Sequence, residues 1–281
     1  MRKLALSDEI LLKVDKAARY IGGEVNSVMK DKNAVDIRFA MCFPDVYEIG
    51  MSNLGMMILY NMFNQREDVW CERLFSPWPD LDKVMREEKI PLFALESQEP
   101  IRDFDFLGIT IGYEMCYTNI LQVLDLSGIP LKSADRGEDF PIVIGGGACA
   151  YNPEPLAPFF DLFYIGEGET VYDALFDAYK ANKKAGGSRR DFLLAAAKIP
   201  GIYVPSLYEV TYKEDGTIAS FAPTEAGVPE KVQKQLIIDM EKEYRAVEAP
   251  VVPHIKATQD RVTLEIQRGC IRGCRFCQAG M

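Results

Sequence analysis

The chain has 281 residues, 48% of them apolar and 26% charged, and a net charge of −10. That is enough apolar matter for one large domain or two modest ones with a real core. An acidic surface repels phosphate backbones, so nucleic acid is not indicated as a partner. No apolar run approaches the roughly 18–20 residues of a membrane span, so no membrane partner is expected either. The first nine residues lack the long apolar stretch of a secretion signal, and a cytoplasmic setting is expected. Cys42, Cys71, Cys116 and Cys149 are scattered among apolar or mixed neighbours and read as reduced, mostly buried thiols.

Taken in order, residues 1–30 read as a helical lead-in, with apolar residues at helical spacing from Leu11 to Ile21 and an end at Gly22 and Gly23. Residues 31–185 read as an α/β domain. A strand is expected at 35–43, a helix at 53–64, and short strands at 91–95, 107–111, 142–144 and 162–165. Helices are expected near 116–127 and 170–183. Met51, Met56, Met57 and Met62 form a stripe that faces the sheet. Strands alternating with helices predict a Rossmann-like parallel sheet of the flavodoxin or cobalamin-binding type, covered on both faces. The loops 43–52, 112–116, 145–153 and 166–169 should then share the carboxyl edge, where such folds bind ligands. Residues 186–256 read as a surface loop at 184–192, a hairpin over 201–222 and a connector over 223–256. Residues 257–281 open a new unit, with a strand at 262–266 that delivers its loop into three cysteines.

Those cysteines, Cys270, Cys274 and Cys277, stand in a C-x3-C-x2-C array with Phe276 before the last. Structural zinc sites usually pair two C-x2-C halves to reach four ligands. Here no second half is near, and the single histidine, His254, reads as a connector residue. Three thiolates with one vacant position suit an iron–sulfur cluster better. The loop also follows a strand, the place where barrel enzymes carry their chemistry.

The run from Gly269 to Cys277 resembles the signature of radical SAM enzymes. The resemblance implies that Cys270, Cys274 and Cys277 ligate a [4Fe-4S] cluster. Its open iron would bind S-adenosylmethionine, with Phe276 near the adenine. One electron from the cluster would cleave the sulfonium to a 5′-deoxyadenosyl radical. An electron donor of flavodoxin or ferredoxin type would be needed. Upstream, Asp45, Tyr47 and Gly50 resemble the D-x-H-x-x-G element of cobalamin-binding domains, with tyrosine in place of histidine. Gly145, Gly146 and Gly147 resemble their strand-plus-diglycine element, and Gly166 and Gly168 close the pattern. Glycine there would let backbone approach a nucleotide-like tail. The resemblance thus leaves cobalamin as a further cofactor, held without a histidine below cobalt. Further runs, from Phe43 to Gly55 and from Asn152 to Leu156 among them, resemble uncharacterised cytosolic radical SAM proteins that carry such a domain. Members of that group run about twice this length, so the chain is expected to be the front part of a longer enzyme, inactive alone. The alternatives are a non-catalytic corrinoid-binding or scaffold module, and a structural zinc site on the three cysteines. Without barrel neighbours, the tail from 257 is expected to be mobile or docked on the first domain.

Overall fold

The computed structural model describes residues 4–243 and 245–277. A short helix α1 (Asp8–Leu11) precedes strand β1 (Ile37–Phe43). All seven residues of β1 are buried, as in a strand covered on both faces. A single turn, α2 (Tyr47–Gly50), leads to helix α3 (Leu54–Gln65), whose first turn is capped by the Asn53 side chain accepting from the Met56 N–H. Strand β2 (Val69–Phe75) and helix α4 (Pro79–Glu88) follow. Proline at the first position of α4 and Asp80 and Asp82 in its first turn suit a helix start. Then come β3 (Phe106–Thr110), α5 (Tyr117–Leu126), β4 (Ile142–Gly146), β5 (Leu162–Tyr164), α6 (Tyr172–Ala185), α7 (Arg189–Ala196) and β6 (Ile202–Tyr203).

These six strands form one sheet in the order β2-β1-β3-β4-β5-β6. All neighbours are parallel except the last pair, β5 with β6. The parallel part is doubly wound, with the chain reversing direction across the sheet between β1 and β3. One face is covered by α3, α6 and α7, whose Met56, Phe63, Phe176 and Phe192 pack on Phe39, Phe106 and Ile144. The other is covered by α4 and α5, whose Leu81, Met85, Ile120 and Leu124 pack on Ala40, Leu107 and Val143. Phe39 meets Phe63 edge-on at 5.0 Å, an orientation that adds about 0.5–1.5 kcal/mol beyond burial. A separate hairpin, β7 (Tyr208–Tyr212) and β8 (Ile218–Pro223), extends beyond the sheet. Among the described residues, the connector is irregular apart from the single turn α8 (Met240–Glu243) and isolated bridges at Gln235 and Val252.

Several elements depart from the sequence expectation. The lead-in is not one helix: Lys16 is left-handed (φ 50°) and divides α1 from a 3-10 turn at Ala17–Arg19. Strand β2 was not expected, because Glu72 and Arg73 interrupt its apolar run, yet both are fully buried as ion pairs. Residues 91–95 are not a strand. Their backbone bonds go to the Arg73 and Leu126 carbonyls and to a local turn, with a single bridge from Phe93 to Pro100. The loop at 184–192 contains the start of α7, fixed by a capping box between Ser188 and Asp191. Ile202–Tyr203 joins the main sheet rather than the hairpin. Residues 262–266 pair with no strand among the described residues, and Val262, Leu264 and Ile266 are at least 80% exposed.

Candidate functional site

A cleft of about 290 Å³ opens on the α3–α6 face at the carboxyl ends of the central strands. Its floor follows from strand register. Met41, Gly108 and Ile144 lie abreast on β1, β3 and β4, and Thr110 pairs with Gly146 one step further out. Leu54, Gly55, Ile58 and Leu59 of α3 form one wall, and Tyr164 and Tyr172 another. The floor is therefore apolar and shallow at Gly108. A Cβ there would meet the Phe39 ring at 2.3 Å, so only glycine lets that ring fill the space beneath. The mouth is polar: Glu167, Glu169, Glu265 and Arg268 stand round it.

The glycines singled out in the sequence divide by what surrounds them. Gly146, Gly147, Gly166 and Gly168 line the cleft, and Gly145 does not. Gly145 points to the other side of the sheet, where a Cβ would strike the Phe163 ring at 2.6 Å. Gly146 shares its face with Ile144, and a Cβ there would meet nothing closer than the Tyr164 carbonyl at 4.0 Å. It is the glycine of the three whose missing side chain leaves room in the cleft. Gly166 has φ +132°, and a Cβ would lie 2.2 Å from the Gln235 carbonyl oxygen. Its close approach is to the connector, which bridges to it through Gln235, and not to a ligand.

Asp45, Tyr47 and Gly50 lie outside the cleft lining. Asp45 closes its own turn by accepting from the Val46 N–H at 2.7 Å, and accepts a short bond from the Tyr113 hydroxyl. Gly50 lets the Phe75 ring pack against α2. Tyr47 is only 1% exposed, fully buried beside the sheet edge. Its hydroxyl donates to the Glu24 carboxylate at 2.9 Å and accepts from the His254 N–H. Burial and the Glu24 charge push the phenol well above its usual range. Glu24 in turn is held by the Arg73 guanidinium at 2.7 Å, and Arg73 reaches Glu96 at 2.6 Å. Burial opposes the Glu24 charge, but Arg73 outweighs it and holds the carboxyl below its usual range. The tyrosine at the histidine position thus belongs to a buried ionic network and is not directed at the cleft. His254 sits in the connector, as expected, with its ring against the Gly22 carbonyl at 3.2 Å.

Cys42, Cys71, Cys116 and Cys149 are buried, and Cys270, Cys274 and Cys277 are exposed. The cysteine loop turns at Gly269 and Gly273, both left-handed, and at a bond from the Cys277 N–H to the Cys274 carbonyl. Phe276 is also exposed. Among the described residues the three thiols are not drawn into a ligand group. What precedes them is tied to the cleft. Arg268 donates to Glu265 through Nε and Nη2, each at 2.8 Å, and to Glu169 at 2.5 Å. Sequence reasoning missed Arg268 and Glu265, since no local pattern pairs them with a loop 100 residues earlier.

No helix among the described residues is long and apolar enough to cross a membrane. In comparison with known proteins, the chain is 25% identical over 241 residues to an uncharacterised protein of Methanocaldococcus jannaschii, covering 85% of this chain and 40% of that one. The chain thus spans well under half the length of that relative. Among solved structures, it resembles the radical S-adenosylmethionine methyltransferase TsrM of Kitasatospora setae, solved with tryptophan and a SAM analogue. The TM-score is 0.35 and the identity 16%, over 70% of this chain and 36% of that one. Residues 55–205, from the first turn of α3 to the end of the sheet, match the model of the amino-terminal region of radical SAM proteins. That match takes in more than half of the chain, and the chain belongs to this family of radical SAM proteins.

Proposed function

We propose that the chain is the amino-terminal part of a cytoplasmic radical SAM enzyme, with a cluster loop at Cys270, Cys274 and Cys277 and a ligand cleft at the carboxyl edge of its sheet. The observation that carries the reading is the C-x3-C-x2-C loop in a chain that belongs to this family. The donor set fits a [4Fe-4S] cluster. Three soft thiolates suit iron–sulfur ligation and leave one position for S-adenosylmethionine. The left-handed glycines Gly269 and Gly273 allow the tight turns that three converging thiols need. Bound there, the cluster would supply the electron that cleaves the sulfonium of S-adenosylmethionine, fed by a donor of flavodoxin or ferredoxin type. Phe276, beside the last cysteine, offers an aromatic face to the adenine.

The cleft supports a narrower statement about cobalamin. At about 290 Å³ it lies at the small end of ligand pockets, which run to about 1,000 Å³. It suits the flat nucleotide-like tail of a corrinoid, with an apolar floor and open space over Gly146, and not the whole macrocycle. Tyr47 would leave the lower face of cobalt without a protein ligand, because its hydroxyl is engaged with Glu24. The test compares cobalamin with cobinamide, which lacks the tail, by equilibrium dialysis against the chain and against Gly146→Leu. Tail recognition requires that cobalamin bind, that cobinamide bind far more weakly, and that Gly146→Leu lose cobalamin while remaining folded. Equal binding of both corrinoids, or full binding by Gly146→Leu, contradicts it.

A further inference from the structure

We infer that Arg268 is a positioning residue that fastens the cysteine loop to the mouth of the cleft, so that loop and cleft are held as one unit. This rests on the reading of Cys270, Cys274 and Cys277 as cluster ligands. Arg268 stands two residues before Cys270. Its guanidinium is shared by Glu265 on its own segment and by Glu169 on the loop after β5, with Glu167 at 3.8 Å. The Glu169 side chain is only 6% exposed and that of Arg268 20%. Around them the tail is open to solvent: Leu264 is 80% exposed, Ile266 89%, Ile271 103% and Phe276 92%. Apolar packing therefore does not hold this segment, and the ionic contact does.

On the domain side, the Glu167 carboxylate is itself fixed. The Glu167 N–H donates to the Gln235 carbonyl at 3.0 Å, and its carboxylate accepts from the Ile237 N–H. Gln235 also donates to the Ile165 carbonyl at 3.0 Å. The connector thus braces the acidic loop from one side, and Arg268 closes it from the other. Three carboxylates at the mouth share this guanidinium. Removing it would leave them repelling one another, and the loop would lose its seat. The bidentate pair with Glu265 orients the guanidinium on its own segment, and one charge-assisted bond from Nη2 carries it across to the part-buried Glu169.

The test measures loop position in the full chain without any cofactor. Spin labels are placed on Cys270, with Cys274→Ser and Cys277→Ser, and on Lys184→Cys at the exposed end of α6. The four remaining cysteines are buried and should not react. Pulsed dipolar spectroscopy should give one narrow distance peak. Arg268→Ala should lose that peak to a broad distribution, with the circular dichroism spectrum unchanged. The charge swap of Arg268→Glu with Glu169→Arg should restore it. A peak that survives Arg268→Ala, a distribution already broad in the parent, or failure of the swap to restore the peak overturns the inference. Iron uptake by the parent chain is measured separately. If Cys270→Ser leaves it unchanged, the cluster reading fails whatever the distance peak shows.

Discussion

Arg73→Met tests the buried network that claims Tyr47. The Arg73 side chain is 0% exposed and is hydrogen-bonded to Glu24 at 2.7 and 3.1 Å and to Glu96 at 2.6 Å, both likewise 0% exposed. Methionine keeps much of the volume, so the cost is chiefly electrostatic. Removing one partner of a buried pair costs about 3–5 kcal/mol. Here two carboxylates lose a shared cation, which places the loss near the upper end, about 5 kcal/mol. Single domains have about 5–15 kcal/mol in all, so the variant should be marginal. Urea unfolding followed by far-ultraviolet circular dichroism at neutral pH measures it. The triple variant Glu24→Gln, Arg73→Met and Glu96→Gln should recover most of the loss, since neutral replacement of an ionic cluster is often tolerated. A cost under about 1 kcal/mol for Arg73→Met, the size of an ordinary hydrogen bond, would refute the reasoning. A triple variant no better than the single would do so as well.

Tyr47→Phe removes a bond to a buried carboxylate and should cost about 1.5–3 kcal/mol in the same assay, with corrinoid binding unchanged; a loss of binding without loss of stability would mean that the phenol serves the ligand. Glu24, Glu48 and Asp68 all have folded values below the ordinary carboxyl range, so their stabilisation is complete above about pH 4.5, their unfolded range, and is lost as the pH falls through the lower folded values. A pH series of unfolding midpoints should therefore decline steeply below about pH 4, and a flat profile there contradicts the assignment. Gly166→Ala puts a Cβ 2.2 Å from the Gln235 carbonyl oxygen at φ +132° and should release the connector, seen as faster amide exchange at Gln235 and Ile237. Unchanged exchange would show that the backbone absorbs the methyl group. Ending the chain after residue 261 should leave the melting temperature nearly unchanged, because Val262, Leu264 and Ile266 are exposed. Ending it after residue 256 should lower the temperature, because Ala257 is buried in the core and Thr258 and Gln259 bond to Glu48 and Ser52.

The parallel sheet was legible wherever a strand holds an uninterrupted apolar stretch. β1, β3, β4 and β5 fall close to their expected places because each carries an unbroken apolar run, the one charge of β1, Arg38, standing near its start. β2 escaped because its charges are paired by Glu24, Glu96 and Arg38, which lie elsewhere along the chain. The apolar run at 91–95 misled for the converse reason, being buried without a ladder partner. α7 left a readable signal in Ser188 and Asp191, three residues apart, masked by the glycines before them. At the site, spacing alone marked the cysteines and the glycine-bearing loops. It did not reveal which glycines face a cleft, since Gly145 and Gly146 differ only in the side of the sheet to which each points. Nor did it expose Arg268, whose partners Glu167 and Glu169 are brought near by the fold.

Anaerobic reconstitution of the chain with iron and sulfide, followed by electron paramagnetic resonance of the reduced protein, tests the proposal of a cluster loop most directly. A [4Fe-4S] signal that shifts on adding S-adenosylmethionine, and that disappears in Cys270→Ala, Cys274→Ala and Cys277→Ala, is the predicted result. Stoichiometric zinc with no iron uptake, or a cluster that persists in all three variants, would contradict it.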